Sequence, residues 1–345
     1  MLPLWTNEGL AEYLSMNWDT EADMIIRDLA INERIPTIRE LEYFLAYKGG
    51  QSVWRFIASK YGREKIGEIF QSMKRYGNAQ KGFEDALGMD FEELTEQWHK
   101  YIKKEYYPDV AGRDEVKDIA QRLTDHKKEK NFYNVSPTIS PDGSHIAVLS
   151  DRSGYMDIYL LDAISGKKIK RLIKGNRSID FEELKFLQPG INWSPDSKKI
   201  VIAAKAGSSD ALYLIDVKSG KQEKIPFELD GVFTASWSPD GNKLVFVGNE
   251  GGASDLYSYD LISKELTNLT NDVYSDTEPS WNSDGKQIVF VSDRGNNIGD
   301  RDISAKDMFS HNYSQKNIYT INVSTKKITQ ITDTEFNENY PIFSN

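Results

Sequence analysis

The sequence contains no cysteine. Disulfides, thiolate metal sites and cysteine nucleophiles are therefore excluded, and the redox compartment stays open. No apolar run approaches the roughly 20 residues that a membrane-spanning helix needs, so no membrane span is expected. The opening Met1-Leu2-Pro3-Leu4-Trp5 has no basic stretch followed by an apolar one and is not a signal peptide. Positive charge is in deficit: 43 Lys and Arg against 53 Asp and Glu give a formal net charge of −10. A nucleic-acid surface needs a basic face, so nucleic acid is not an expected partner, and solubility is the plain reading of the acidity. Histidine is scarce, and His99, His126, His145 and His311 are isolated. No H-E-x-x-H exists, whereas hydrolytic zinc needs two histidines one helical turn apart with a Glu base. Neither G-x-S-x-G nor a phosphate-cradling glycine loop occurs.

What is present changes character partway along the 345 residues. Residues 1–110 read as helical. Ile66, Ile69, Phe70 and Met73 lie on one helical face, with Gly62 and Gly77 at the ends. A second run from Phe91 to Tyr107 turns Leu94, Trp98, Tyr101 and Ile102 inward, and Pro108 is expected to stop it. Residues 111–130 are charged and read as a linker whose second half already pairs as a strand. Beyond them, short β-branched and aromatic runs alternate with Pro, Asp, Gly and Ser.

That second region repeats. Ile139-Ser140-Pro141-Asp142-Gly143, Trp193-Ser194-Pro195-Asp196-Ser197, Trp237-Ser238-Pro239-Asp240-Gly241 and Trp281-Asn282-Ser283-Asp284-Gly285 align. An apolar strand follows each, then Ile158-Tyr159, Leu212-Tyr213, Leu256-Tyr257 or Ile318-Tyr319. Asp142 to Tyr159, Asp196 to Tyr213 and Asp240 to Tyr257 each span 17 positions. Three residues after each Tyr stands Asp162, Asp216, Asp260 or Asn322. Ser-Pro-Asp-Gly is turn chemistry: Pro fixes φ, Asp bonds its own backbone, and Gly accepts positive φ. Asp142, Gly143, Asp196, Asp240, Gly241, Asp284 and Gly285 are thus turn residues, and Trp193, Trp237 and Trp281 are expected to pack between neighbouring units. Four strands in about 44 residues is the period of a propeller blade, which must stack on neighbours to bury both faces.

These units resemble the TolB-like β-propeller family, which carries the same aromatic-Ser-Pro-Asp-Gly turn and the same Leu-Tyr strand. The Gly-His and Trp-Asp signature of WD-type repeats is absent. The resemblance implies blades at about 137–175, 190–228, 234–271 and 278–333, with loops around a central channel. In the fourth unit, Asp284 to Tyr319 spans 35 positions instead of 17, an insertion over 294–315. Its Asp293–Asp302 stretch is rich in oxygen donors but lacks EF-hand spacing and reads as a solvated loop. A fifth turn would begin at Pro341, so the chain reads as cut at its C-terminus. The fourth unit should then expose Trp281 and the strand Ile288-Val289-Phe290-Val291.

The N-terminal Trp5-Thr6-Asn7-Glu8-Gly9-Leu10-Ala11-Glu12 resembles gluzincin metallopeptidases, in which Trp-x-x-Glu-Gly-x-Ala follows the H-E-x-x-H helix. Matched by position, the resemblance implies Glu8 as third zinc ligand. Glu12, four residues on, lies on the same helical face and would orient a ligand histidine. Ala46-Tyr47-Lys48-Gly49-Gly50 is similar to the Tyr-x-x-Gly helix start of gluzincin aminopeptidases, which would make Tyr47 a transition-state stabiliser. The bland reading is a solvated helix face for Glu8 and Glu12 and a packing role for Tyr47. The match covers the helical C-terminal half of such a peptidase domain.

The expected fold class is α+β multidomain: a helical N-terminal domain, then an incomplete TolB-like propeller of four blades and the start of a fifth. The expected function is a scaffold for a protein or peptide, with no peptidase activity and no cofactor in these residues. The alternative is part of a zinc-dependent metallopeptidase whose H-E-x-x-H half lies upstream of Met1, its propeller gating or positioning substrate. By resemblance, the parent would be a bacterial periplasmic or secreted protein.

Overall fold

The computed structural model describes residues 2–114, 116–177, 181–185, 190–298 and 308–344. The chain divides into two compact units, Met1–Gln121 and Arg122–Asn345.

The first unit is helical: α1 (Leu4–Met16), α2 (Thr20–Ile31), α3 (Phe44–Tyr61), α4 (Glu64–Tyr76), α5 (Ala79–Leu87), α6 (Phe91–Val110) and the single turn α7 (Val116–Ile119). Side-chain caps set the starts. Asp19 accepts from the Ala22 amide at 2.9 Å, Asn78 from Lys81 at 3.0 Å and Asp90 from Glu93 at 2.8 Å, satisfying amides that have no intrahelical partner. Left-handed Gly77 and Gly88 end α4 and α5. Pro108 does not stop α6, which runs to Val110. So close to the end, its missing N–H and its ring disturb only the last turn. The core gathers Trp5, Trp54, Phe83, Phe91 and Trp98. Two of its indoles are satisfied: Trp54 donates to the Thr6 carbonyl at 3.1 Å and Trp98 to Ser52 Oγ at 3.1 Å.

In the second unit, the expected strand pairing in the second half of 111–130 is not found. Another single turn, α8 (His126–Glu129), stands there instead. Asp125 at its start accepts from the Lys128 amide, a local bond that favours helix over strand.

Four antiparallel sheets follow. The first is β1 (Asn134–Ile139), β2 (His145–Ser150), β3 (Asp157–Asp162) and β4 (Lys168–Ile173), paired in that order. The second contains β5 (Glu183–Leu184), β6 (Asn192–Trp193), β7 (Lys199–Ala206), β8 (Ser209–Asp216) and β9 (Gln222–Pro226), with β5 and β6 both pairing with β7. The third is β10 (Gly231–Trp237), β11 (Lys243–Glu250), β12 (Ala253–Asp260) and β13 (Leu266–Asn268); the fourth is β14 (Asp276–Trp281), β15 (Gln287–Ser292), β16 (Asn317–Asn322) and β17 (Ile328–Gln330). Each sheet starts before the blade read in the sequence, the third at Gly231 rather than about 234 and the fourth at Asp276 rather than about 278. The first sheet starts at Asn134 rather than after Pro137, because a bulge lets the strand continue through the proline. The second sheet recruits Glu183–Leu184 upstream of 190. The fourth sheet's insertion is described only in part, since 299–307 lie outside the described residues.

The repeat spacing has a local cause. Ser140, Ser194 and Ser238 donate to the carboxylates of Asp142, Asp196 and Asp240 at 2.6–2.7 Å. Those carboxylates in turn accept the amides of Ser144, Lys198 and Asn242. In the fourth turn Asn282 stands where Ser stands elsewhere and accepts from Lys286 and Gln287. The hydrogen bonds from Ser140 and Ser144 hold the Asp142 carboxyl down at about 2. The next hairpin repeats the device: Asp162, Asp216, Asp260 and Asn322 each accept the amide three residues ahead.

Stacked sheets share apolar layers. Ile200, Ile202 and Tyr213 pack with Leu149, Ile158 and Leu160; Phe246 and Tyr257 pack with Leu212 and Leu214; Ile288, Phe290 and Tyr319 pack with Val245 and Leu256. The expected exposure of the fourth unit's strands is contradicted. Trp281, Ile288, Val289, Phe290 and Val291 are all at most 8% exposed. The third sheet covers Trp281, Ile288 and Phe290, and Val289 and Val291 on the other face are buried too.

Candidate functional site

The tryptophans that precede the turns bridge sheets. Trp193 Nε1 donates to the Thr138 carbonyl of the first sheet at 3.0 Å, and Trp281 Nε1 to the Ser236 carbonyl of the third at 3.3 Å. For Trp237 the backbone amide carries the link, donating to Asn192 Oδ1 at 2.9 Å. Its indole N–H is buried without a partner among the described residues.

The inner strands β1, β6, β10 and β14 border one cleft of about 920 Å3. Its rim breaks the sheet ladder at a repeated place. Register shifts occur between Val135 and Thr138, Phe233 and Ala235, and Thr277 and Ser280. The extra residues Ser136, Thr234 and Glu278 have φ of 52°, 26° and 57°, and each stands six positions before a turn aspartate. Positive φ is uncommon for non-glycine residues. A bulge leaves its extra residue out of the ladder, so backbone polar groups are released beside the cleft. Tyr340 shares the conformation, with φ 54°, and its amide donates to the Glu278 carboxylate. Sequence reasoning did not find this rim. The available signal was the recurrence of a residue before proline in Ser136-Pro137, Glu278-Pro279 and Tyr340-Pro341.

The cleft walls mix chemistry. Ile191, Phe233 and Val247 supply apolar surface, and Glu183, Lys185, Glu278 and Lys316 supply charge of both signs. Lys185 is held on the wall, its Nζ 3.0 Å from Asp210 Oδ2 and 4.7 Å above the Phe233 ring.

A second device was also missed. Ser150-Asp151-Arg152 and Ser292-Asp293-Arg294 stand eight positions after the first and fourth turn aspartates. In both, the arginine Nε donates to the serine Oγ, at 3.0 and 2.9 Å. Arg152 reaches on to Asn134 and Arg294 to Asp276, at equivalent places on the inner strands.

In the helical unit, α1 and α3 cross at Gly9 and Gly50. A Cβ on Gly50 would lie 2.6 Å from the Trp5 carbonyl oxygen and 2.9 Å from Gly9 Cα. The Glu8-Gly9 and Gly49-Gly50 pairs are thus explained in part by helix packing. Glu12 is not a solvated carboxylate. Its Oε2 lies 2.8 Å from Lys48 Nζ, a buried ammonium that also meets Asp19 at 3.5 Å and Glu21 at 3.3 Å. Burial pulls the Lys48 pKa down, but its hydrogen bonds to Glu12 and Glu21 with the Asp19 charge outweigh it, and the net shift is upward. Glu8 is half-buried and makes no hydrogen bond or ion pair among the described residues, and Tyr47 is exposed. Zinc does not fit the residues present. The unit's one histidine, His99, shares a hydrogen bond with the Pro36 carbonyl, and the Glu12 carboxylate is occupied by Lys48. A closed or catalytic zinc site needs three or four N, S or O donors converging on one point.

The stacked antiparallel sheets, with their inner strands around a shared cleft, define a β-propeller architecture. Residues 185–303 match the family model of the TolB beta propeller domain. Among solved structures, the chain is similar to TolB from Acinetobacter baumannii at 21% identity and a TM-score of 0.45, over 60% of this chain and 45% of that one. It is similar to a putative TolB from Agrobacterium tumefaciens at 20% identity and a TM-score of 0.44, over 58% and 66% of the two chains. The hydrazine synthase of Kuenenia stuttgartiensis gives 20% identity and a TM-score of 0.42, over 57% and 53%. The chain therefore spans less than two thirds of each of these structures. No curated protein matches the sequence. No described helix is long and apolar enough to cross a membrane.

Proposed function

We propose that the propeller unit is a scaffold that binds a protein or an extended peptide in the cleft bordered by β1, β6, β10 and β14. The observation that carries this reading is the repeated bulge at Ser136, Thr234 and Glu278, which leaves a residue out of the ladder at the lining of a cleft of about 920 Å3. An extended peptide is recognised by main-chain hydrogen bonds, with side-chain pockets giving selectivity. The TolB-like resemblance agrees with such a role and with a periplasmic or secreted setting. The test is selection of peptides from a random display library on the whole chain, followed by binding to Ser280→Trp, which fills the cleft from β14. Binding lost in the variant supports the reading. Selected peptides that bind the variant as tightly as the original place the interaction elsewhere.

A second reading rests on one observation: Glu8 on α1 has no partner among the described residues, beside a helix crossing that also carries Tyr47 on α3. In it, the helical unit belongs to a zinc peptidase whose two histidine ligands come from outside residues 1–345, and the propeller positions substrate. Coding sequence upstream of Met1 with H-E-x-x-H about 20 residues before Glu8 would support it, that spacing bringing the third carboxylate ligand to the metal.

A further inference from the structure

We propose that Asp255, Asp272 and Asp276, together with the side-chain amide oxygen of Asn317, form a binding site for a hard divalent cation, calcium foremost, at the junction of the third and fourth sheets. One carboxylate oxygen from each aspartate lies within 4.8 Å of the others. All three side chains are withdrawn from water: Asp276 is fully buried, Asp255 is 5% exposed, and the Asp272 side chain is 5% exposed.

Charge at the junction is unbalanced. Among the described residues, Arg294 is the one cation paired with the cluster, its two terminal nitrogens 2.9 Å from Asp272 and 2.5 Å from Asp276 Oδ1. Three carboxylates thus share one guanidinium, which reaches Asp272 and Asp276, while among the described residues Asp255 accepts from neutral donors only: Asn268 Nδ2, Thr270 Oγ1 and the Asp272 amide. The first sheet shows the opposite balance, since the single buried carboxylate of Asp157 is met by both Arg171 and Arg177. A buried carboxylate is retained when it is paired or coordinates a metal.

Two buried oxygens add an independent sign. Asn317 Oδ1, on a residue 2% exposed, has no hydrogen-bond partner among the described residues, and neither has Asp276 Oδ2. Strand register relates them. Asp276 pairs with Ser292, and Ser292 pairs with Asn317, so the three form one row across β14, β15 and β16. Residues opposite one another on an antiparallel sheet present their side chains to the same face. The bonds from Arg294 to Ser292 Oγ and to Asp276 identify that face as the one holding the cluster. The row therefore places Asn317, with its unpartnered amide oxygen, on the face where the carboxylates meet.

The donors are all oxygen, the set preferred by calcium or magnesium over zinc; flexible carboxylate and amide oxygens suit calcium, whereas magnesium holds its water tightly. An ion here would tie β12 to β14 and β16 beside Arg294, where the long insertion leaves the sheet.

The test uses the whole chain, stripped with EDTA and titrated with calcium by calorimetry, with thermal melting in parallel. Expected are about one calcium per chain and a rise in melting temperature that EDTA reverses. Asn317→Leu keeps volume but removes the amide oxygen, and Asp255→Asn removes one charge. Each should weaken calcium binding by about tenfold or more. Terbium supplies a readout on the unmodified chain should a variant fail to fold: emission sensitised through nearby Tyr274 or Tyr319 and quenched by calcium is expected. Calcium that neither binds at millimolar concentration nor displaces terbium overturns the proposal, as does unchanged affinity in a folded Asn317→Leu chain.

Discussion

Adding one methyl group at Gly9 separates a packing role from a chemical one in the Glu8-Gly9 pair. Two effects oppose each other. Replacing glycine by alanine inside a helix favours helix by about 1 kcal/mol. At Gly9 the new Cβ would run into the backbone of Gly50 and lie 2.7 Å from the Gln51 nitrogen. Backbone cannot rotate away as a side chain can, so α1 and α3 must part, and overpacking of this kind costs typically 1–3 kcal/mol, occasionally more. Parting the helices also loosens Trp5 and the Trp54-to-Thr6 hydrogen bond that spans the crossing. The clash wins, and Gly9→Ala should lose about 1–2 kcal/mol net. Gly67 on α4 is the internal control: it is exposed, and a Cβ there meets nothing within 4 Å. Gly67→Ala should gain about 0.5–1 kcal/mol. Circular dichroism at the helical band follows the first unit during urea unfolding, since the second is mostly strand. A Gly9→Ala chain whose helical transition matches or exceeds that of the original would refute the packing argument and return Gly9 to a role in chemistry.

Trp193→Phe should destabilise the sheets more than Trp237→Phe, by about 1 kcal/mol, because only the first loses an indole hydrogen bond to a neighbouring sheet; near-ultraviolet melting curves of the two variants decide this. The Asp142 carboxyl titrates lower in the folded turn, about 2, than in the unfolded chain, at 3.8. The unfolded state therefore binds more protons between these values, so the turn's contribution is present above pH about 4 and is lost as pH falls toward 2. Asp142→Asn should flatten that part of the stability profile, and an unchanged profile would refute the assignment. Residues 1–345 should hold no stoichiometric zinc and show no zinc-dependent peptidase activity; elemental analysis finding one tight zinc per chain, lost in Glu8→Ala, would overturn this.

Local chemistry made the architecture legible. Ser-Pro-Asp-Gly and the aspartate three residues after each Tyr-containing strand are satisfied by backbone amides within a few positions, so their spacing carries over directly into hairpins. Helix caps such as Asp90 are local in the same way. Where competition between local preferences was close, the reading erred: the helical turn at 126–129 replaced an expected strand, and α6 passed through Pro108.

The candidate sites were less legible because they form between residues far apart in sequence. The sequence by itself determined the repeat, the turn chemistry, the alternation of strands, the lack of a histidine pair and the helical character of the first unit. Within each unit the turns, strands and helical faces are relations among residues fewer than about 20 positions apart, where turn geometry and side-chain periodicity act. Only the tertiary structure decided that Lys48 would take the Glu12 carboxylate, that Gly9 would meet Gly50, and that Trp281 and its following strand would be covered. It alone brought Asp255 on one sheet to Asp276 on the next. Stacking sets those contacts, and an apolar layer constrains volume and shape without specifying which polar groups meet at its rim.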